Sequence, residues 1–353
     1  MSGCSFNSLQ YRLRDSERRE QVQIAAILTL AARTGSEADS IESSRGENRR
    51  RKRFLSNVPD AKLEVLGKSL LDRSVSRLRE AGIESSATIP EGSALTQLLP
   101  TRSATTNDFI SAWENAIGEY VRQGVDTLVL LRTSTYTDLD YEELLRFHSD
   151  RRAGLTQVFS ADSSVDVAVV NANLLRESDH SYRTTLSNLI PDQQHFYYQG
   201  YINRLRKPKD FRRLTEDALN GKCGLRPVGT EVGEGVWFGT GVEVDDSCVI
   251  SGPAFIGSDT RIAACTSISG GSVVERNCEI DCGTTIDQSW ILQETYVGLG
   301  LTVRGSIVSN QKMFNLERKT ELPINDPRLI RATKSFSLYG AGSMLLSKLQ
   351  LSP

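Results

Sequence analysis

The chain has 353 residues, of which 39% are hydrophobic and 24% are charged, values typical of a water-soluble protein with buried cores and more than one domain. Its net charge of −2 excludes a strong overall attraction to nucleic acid or to a membrane surface. The sequence contains no run of about 18 apolar residues that would span a bilayer, and no apolar signal segment near its N-terminus. The six cysteines lack C-x-x-C spacing. We therefore expect reduced thiols and a cytoplasmic location.

The first part of the chain is predicted to be an α/β domain over residues 21–222. Residues 1–20 precede it as a charged N-terminal extension. Residues 22–32 are an apolar run of strand length, which predicts a buried first strand. The polar segment 37–53, which ends in the basic run 49–53, is expected to be a mobile, solvated loop.

Strands and helices then alternate along this domain. Residues 126–131 and 165–170 are short apolar runs that predict two further strands. Apolar side chains at helical spacing, followed in each case by a glycine, predict helices over residues 68–81, 109–121 and 208–220. Asp140, with Glu143 three residues later, predicts the N-terminal cap of another helix. The alternation predicts an α/β fold with a mainly parallel sheet.

Residues 229–310 carry a repeat with a period of six. Every sixth position holds a large apolar side chain, and the position four residues further on is nearly always small or β-branched. The large positions are Val232, Phe238, Val244, Ile250, Ile256, Ile262, Ile268, Val274, Ile280, Ile286 and Leu292. Trp290 and Tyr296 interrupt the small positions. This period excludes an α-helix and predicts a solenoid of stacked strands. It resembles the left-handed parallel β-helix of hexapeptide-repeat transferases, in which three hexapeptides form one coil.

Many proteins with that fold are acyltransferases that use a histidine as general base. The histidines of this chain, His148, His180 and His195, all precede the repeats. Acyl transfer is therefore disfavoured. The tail, residues 311–353, has no assigned role, and its leucines at positions 345, 346, 349 and 351 are expected to dock on the solenoid or on a partner.

Three stretches, in order along the first domain, resemble motifs of one enzyme family. PDAKLEVLGKSLLDRSVSRLREAGI (residues 59–83) is similar to PKPLLPVxGKPLLDRxLxRLxEAGI, and DTLVLLRTSTYTDLDYEELLRFH (residues 126–148) is similar to LVLNGDxLTDLDLxELLxFH. GYINRLRKPKDFRRLTEDAL (residues 200–219) is similar to GYWxDIGTPEDYLxANxxxL. Followed by a β-helix, they resemble the sugar-1-phosphate nucleotidyltransferases, especially those like mannose-1-phosphate guanylyltransferase. The resemblance implies a Rossmann-like nucleotidyltransferase domain in which Mg²⁺ supports transfer of a nucleotide to a sugar 1-phosphate, with release of pyrophosphate.

The groups that the resemblance assigns to catalysis are missing from this sequence. Only Gly35 remains of the glycine-rich loop, and Asp60 stands in place of the lysine that faces phosphate. Ser134 and Arg204 stand in place of the two metal-binding aspartates. The segment that lines the nucleotide pocket in the family has no counterpart in residues 98–108. Asp138 lies close to the first metal position, but a loop role is favoured for it, as a helix-cap role is for its neighbour Asp140. No catalytic residue and no metal ligand is therefore identified.

Arg33, Thr34 and Gly35 are the candidate nucleotide-binding residues. Together they would hold an anion if they open a helix. An ordinary loop is an equally good interpretation of this segment.

Two main hypotheses follow for function. The first is a catalytically degraded homologue that serves as a structural or regulatory partner in nucleotide-sugar or polysaccharide synthesis. Its expected partners are protein subunits bound through the β-helix, and a nucleotide or sugar phosphate; nucleic acid and membrane are not expected. The alternative is an active nucleotidyltransferase whose Mg²⁺ ligands are rearranged around Asp138 or Asp140. A third possibility is a module that binds a nucleotide or sugar phosphate without turnover.

Overall fold

The computed structural model describes residues 22–30, 63–90, 106–161 and 163–333. These residues form two compact units. Unit one combines residues 22–30 with the described residues between 71 and 202, and unit two combines residues 63–70 with residues 203–333. The predicted charged extension (residues 1–20), the polar segment 37–53 and the C-terminal leucines lie outside the described residues. No helix within the described ranges is long and apolar enough to cross a membrane.

The helices are α1 (Leu70–Glu80), α2 (Thr106–Gln123), α3 (Tyr141–Asp150), α4 (Ala172–Arg176), α5 (Tyr182–Leu189) and α6 (Pro208–Leu219). The strands up to residue 203 are β1 (Ile24–Leu30), β2 (Glu64–Val65), β3 (Lys68–Ser69), β4 (Ser85–Pro90), β5 (Thr127–Arg132), β6 (Tyr136–Thr137), β7 (Leu155–Ser160), β8 (Ser163–Asn171), β9 (Gln194–Tyr197) and β10 (Ile202–Asn203).

Short strands make up most of the rest of the chain. They are β11 (Thr230–Gly233), β12 (Val236–Phe238), β13 (Glu243–Val244), β14 (Val249–Ile250), β15 (Ala254–Ile256), β16 (Arg261–Ile262), β17 (Ser267–Ser269), β18 (Val273–Val274), β19 (Glu279–Ile280), β20 (Thr285–Asp287), β21 (Trp290–Ile291), β22 (Thr295–Val297), β23 (Thr302–Arg304), β24 (Ser306–Ser309), β25 (Lys312–Asn315), β26 (Thr320–Pro323) and β27 (Ile330–Ala332).

Unit one is built on a six-stranded sheet in the order β4-β1-β5-β8-β7-β9. Strand β8 runs antiparallel to both of its neighbours, and the other five strands run in one direction. Alternate residues of β1 face opposite sides of this sheet. Ala26 and Leu28 pack in a core with Leu78 of α1 and Leu144 of α3, whereas the other face of the sheet packs against α2, α4 and α5. The sheet is therefore covered by helices on both sides, as the alternation of the sequence predicts.

One helix boundary and one strand direction in the first domain differ from the predictions. The helix predicted over residues 68–81 begins only at Leu70, because Lys68 and Ser69 pair with Val65 and Glu64 in a β-hairpin. The strand predicted over residues 165–170 is part of β8 and enters the sheet antiparallel to its neighbours. The predicted cap of α3 is confirmed, since the Asp140 carboxylate accepts hydrogen bonds from the backbone N–H groups of residues 142 and 143.

Unit two contains three parallel sheets that form a β-helix-like solenoid. The parallel strands are stacked in the orders β12-β15-β18-β21-β24, β13-β16-β19-β22 and β14-β17-β20-β23. Val249 pairs with Ser267 and Ser267 with Thr285, which is a step of 18 residues per coil. The predicted large positions from Ile256 to Ile286 are buried in one continuous core. The hexapeptide interpretation of these coils is therefore confirmed at the level of stacked parallel strands.

The predicted register is wrong at both ends of the repeat. Val232 is 55% exposed, because β11 runs antiparallel to β12 instead of forming part of a coil. After Ile286 the coil is one residue shorter than the coils before it. Val273 pairs with Trp290, a step of 17 residues instead of 18. Ile291 therefore occupies the inward position predicted for Leu292. This shorter coil also explains why Trp290 and Tyr296 interrupt the column of small residues.

Because this coil is one residue shorter, the Trp290 side chain points outwards, onto the surface of the solenoid that α6 covers. Its indole is fully buried and stacks on Phe211 of α6, with 6.4 Å between the ring centroids. Strands β25 and β26 extend the same sheet in antiparallel order, and β27 pairs antiparallel with β22. Residues 311–333, which the sequence left without a role, therefore cover the last coil.

A fully buried carboxylate, Glu275, holds the β2–β3 hairpin on the solenoid. One of its oxygens accepts hydrogen bonds from the Leu66 N–H (2.8 Å) and the Trp290 indole N–H (3.1 Å). The other oxygen accepts a hydrogen bond from the Gly67 N–H (2.9 Å). Leu66 and Gly67 both have left-handed backbone, with φ of 54° and 83°, as a two-residue type I′ turn requires. Consecutive N–H groups of a tight turn form an anion-binding concavity, which Glu275 fills.

Candidate functional site

An open cleft of about 330 Å³ lies at the carboxyl ends of β1 and β5 in unit one. It is lined by Thr29, Phe109, Leu130, Leu131, Arg132, Gln157, Ser164, Asp166, Val167 and Ala168. Sheets of this type commonly bind ligands beyond the carboxyl ends of their strands. The cleft is also large enough for part of a small molecule. We therefore consider it the candidate functional site.

The floor of the cleft is fixed by the pairing of its strands. Thr29 at the end of β1 lies opposite Arg132 at the end of β5. The Thr133 N–H donates a hydrogen bond to the Thr29 carbonyl (2.9 Å), which continues the pairing beyond the strand. Strand β8 enters antiparallel, so its first residues lie at the same edge as the last residues of β5. The sheet topology thus brings Arg132 and the start of β8 to one rim.

Asp166 supplies the carboxylate at this rim. It accepts a hydrogen bond from the Ser134 hydroxyl (2.6 Å) and a longer one from the Thr135 hydroxyl (3.4 Å). Its backbone φ of 59° lies in the left-handed region, which aspartate adopts more readily than most residues other than glycine. The Ser164 hydroxyl accepts hydrogen bonds from the Asp166 N–H (3.2 Å) and the Gln157 amide (2.9 Å). The rim is therefore an ordered polar network.

The residues at the two predicted metal positions do not fit Mg²⁺. Ser134 uses its hydroxyl as a donor to Asp166, and Arg204 has a cationic side chain with no acceptor atom. Mg²⁺ prefers carboxylate and phosphate oxygens as ligands. In the ranges that the structure covers, no group of three or more His, Cys, Asp or Glu side chains is placed to hold a metal ion.

The two aspartates near the first metal position make local contacts. Asp140 caps α3, as predicted. Asp138 accepts a hydrogen bond from the Tyr136 hydroxyl (2.9 Å) two residues earlier. These contacts support the helix-cap and loop interpretations of the two residues.

His148 is a core residue of unit one. Its Nδ1 lies 2.8 Å from the Thr156 hydroxyl, and burial lowers the pKa of the imidazole to about 4. The side chain is therefore neutral at physiological pH. A neutral, buried histidine paired with a threonine acts in packing, and it does not line the cleft.

The candidate nucleotide-binding residues Arg33, Thr34 and Gly35 lie outside the described residues, as does Asp60. Sequence reasoning did not identify Asp166, the carboxylate of the cleft. The sequence feature that could have identified it is a charged residue inside the apolar run from Val165 to Val170. This residue lies near the start of β8, beside the carboxyl end of β5. A polar residue in such a position frequently serves a site at the sheet edge.

Comparison of the sequence with models of protein families and with curated proteins gives no match. The resemblance to sugar-1-phosphate nucleotidyltransferases is therefore carried only by the three motif-like stretches and by their order along the chain.

Proposed function

We propose that the chain is a non-catalytic homologue of the sugar-1-phosphate nucleotidyltransferases. In this proposal unit one is a Rossmann-like domain and the solenoid of unit two is a left-handed β-helix. The protein acts as a structural or regulatory partner in nucleotide-sugar or polysaccharide synthesis. The observation that carries the proposal is the hydrogen bond between Ser134 and Asp166, because a hydroxyl donor occupies the position where the resemblance requires a metal-binding carboxylate.

Phosphoryl transfer depends on groups that position the phosphates and neutralise their charge. Of the corresponding positions, Ser134 and Arg204 offer a hydroxyl and a cation, and neither replaces the charge of an aspartate. The cleft keeps Arg132, Gln157 and Asp166 at its rim. Such a set can bind a polar ligand without turning it over. We infer that this ligand is a nucleotide or a sugar phosphate.

We expect no release of pyrophosphate when the chain is incubated with Mg²⁺ and a matrix of nucleoside triphosphates and sugar 1-phosphates. An active enzyme of the resembled family, assayed in parallel, provides the positive control. Turnover within about a hundredfold of that enzyme would contradict the proposal, since loss of charge stabilisation normally costs at least this much in rate.

Among the described residues, the carboxylate of Asp166 at the cleft is the feature that favours the competing hypothesis, an active enzyme with rearranged ligands. If turnover is seen, Asp166→Asn tests that hypothesis, with Asp179→Asn as the matched control. Asp179 is an exposed carboxylate of the same unit that does not line the cleft. Loss of turnover in the first variant alone would establish the alternative.

One face of the solenoid supports the part of the proposal that concerns protein partners. On strands β14, β17, β20 and β23 the inward residues are Ile250, Ile268, Ile286 and Val303. Their predecessors point outwards and are uncharged: Val249, Ser267, Thr285 and Thr302. Val249 is 61% exposed. By contrast, the outer positions of β13, β16 and β19 are charged, and Arg261 pairs there with Glu243 at 2.7 Å. This uncharged row, which the Arg304–Asp287 ion pair borders at the ends of β20 and β23, is therefore the better surface for contact with another subunit.

We expect the protein to be oligomeric in solution and the variant Val249→Glu to dissociate it. A carboxylate at this position would be desolvated in the interface without a partner, which is strongly unfavourable. The measurement is size-exclusion chromatography with light scattering. Ile190→Glu, at an exposed apolar residue of unit one, is the control. A wild-type protein that is monomeric, and from which pull-downs recover no partner, would contradict the structural role.

A further inference from the structure

A second cleft, of about 560 Å³, lies within unit two between α6 and the last coils of the solenoid. It is lined by Lys209, Arg212, Arg213, Glu216, Gln288, Arg304, Gly305, Asn315, Leu316 and Glu317. Its volume lies within the range of small-molecule sites. All of its lining residues belong to unit two, so this cleft is distinct from the cleft of unit one.

Four of the ten lining residues are basic, and two of these four side chains are already paired. Arg212 forms an ion pair with Glu216 (2.9 Å), and Arg304 forms one with Asp287 (3.1 Å). The other two cations, Lys209 and Arg213, are exposed. Glu317 is the remaining carboxylate of the lining. With these two ion pairs set aside, two cations and one carboxylate remain in the lining, so the cleft has an excess of positive charge.

Arg212 is held rigidly in the wall of the cleft. Its side chain is 6% exposed, and its guanidinium donates hydrogen bonds to the Thr215 hydroxyl and the Gly270 carbonyl, each at 3.2 Å. A guanidinium that is fixed by packing loses little entropy when a ligand binds beside it. On α6, Lys209 lies three residues before Arg212, and Arg213 follows it directly. Both are on the side of the helix that lines the cleft.

We propose that this cleft binds a small molecule that carries a phosphate group, with the phosphate held by Lys209 and Arg213. Arginine and lysine side chains are the usual partners of phosphate oxygens, because they combine full charge with several N–H donors. The side-chain amides of Gln288 and Asn315 supply uncharged donors and acceptors for the rest of the ligand. The site does not depend on the proposed function of unit one.

Isothermal titration calorimetry on the full chain tests this proposal, with inorganic pyrophosphate and inorganic phosphate as probes. We expect saturable binding of pyrophosphate with a Kd below about 1 mM. Binding is expected to weaken as sodium chloride is raised. The double variant Lys209→Gln and Arg213→Gln is expected to bind at least about tenfold more weakly, since it removes both unpaired cations.

Lys222→Gln is the matched control. Lys222 is also exposed and basic but lies beyond the C-terminal end of α6, where its ammonium group is 4.0 Å from a carboxylate oxygen of Asp217. If the double variant melts earlier than the wild type, the single variant Arg213→Gln replaces it. Two results would overturn the proposal. One is an absence of saturable binding, and the other is binding that the cleft variants leave unchanged but Arg132→Gln removes, which would assign the phosphate to unit one.

Discussion

Replacement of Glu275 by alanine is expected to destabilise unit two by about 3 to 5 kcal/mol. The change leaves the N–H groups of Leu66, Gly67 and the Trp290 indole without their acceptor in a buried place. Each unsatisfied buried donor costs about 1 to 3 kcal/mol, and partial relaxation keeps the total below the sum. A folded domain is stable by only about 5 to 15 kcal/mol, so this single side chain decides a large share of the stability.

Hydrogen exchange gives the most direct measurement of this effect. The Leu66 and Gly67 amides are expected to lose protection in Glu275→Ala, and urea denaturation followed by tryptophan fluorescence gives the free energy of unfolding. Glu279→Ala is the control, because Glu279 is an exposed carboxylate of the same solenoid. That change is expected to cost less than about 0.5 kcal/mol. Unchanged protection of the two amides in Glu275→Ala would contradict the structural role of the carboxylate.

Glu275 also shows why part of the fold was not predictable from the sequence. A carboxylate that follows the inward residue Val274 is an ordinary outward position of a hexapeptide repeat, where most residues are solvated. It is buried here because Leu66, which is 209 residues away in the sequence, donates a hydrogen bond to it. No periodicity carries information about such a distant partner. The hairpin itself was missed because helical spacing from Leu71 onwards was extended back over Lys68 and Ser69.

The coils themselves were predictable, because inward positions must be apolar in every coil and this requirement repeats with a fixed period. The prediction was wrong where the period changes. Ile286 and Ile291 are successive inward residues, but they are five positions apart instead of six. Leu292, which is also apolar, stands at the sixth position and therefore appears to continue the hexapeptide pattern. Trp290 is the visible trace of this shift, since a large aromatic residue does not fit the small inward column but does fit against Phe211.

The candidate site was only partly predictable. The motif resemblance pointed to the turn after β5, where Ser134 stands at the position that the resemblance assigns to a metal-binding aspartate. It did not reveal that Asp166 faces this serine, because β8 is antiparallel to its neighbours and this direction is not encoded in the apolar pattern of a buried strand. The residues of the second cleft were likewise not grouped, since they come from α6, from the coils and from residues 311–333.

The stability of unit two is expected to fall as pH rises, because Glu275 loses its proton. Burial raises the pKa of Glu275 from 4.5 to about 7 even though three N–H donors favour the charged form. Between these two pH values the folded protein retains a proton that the unfolded chain has lost, so the free energy of unfolding decreases with increasing pH. The contribution is fully present below pH 4.5 and is lost as pH rises through 7. A rise of this size corresponds to about 3 kcal/mol.

The pKa shift of His148 changes the stability with pH in the opposite direction. The experiment therefore has to separate the contributions of His148 and Glu275. The pKa of His148 is lowered from 6.5 to about 4, so its contribution is present above pH 6.5 and is lost as pH falls through 4. The informative quantity is therefore the difference in unfolding free energy between the wild type and Glu275→Gln, measured from pH 4 to pH 8. Both proteins contain His148, and its contribution cancels in the difference. We expect this difference to shrink by about 3 kcal/mol across the range. A difference that grows with pH would mean that the three N–H donors outweigh burial, and that Glu275 anchors the hairpin as a permanent carboxylate.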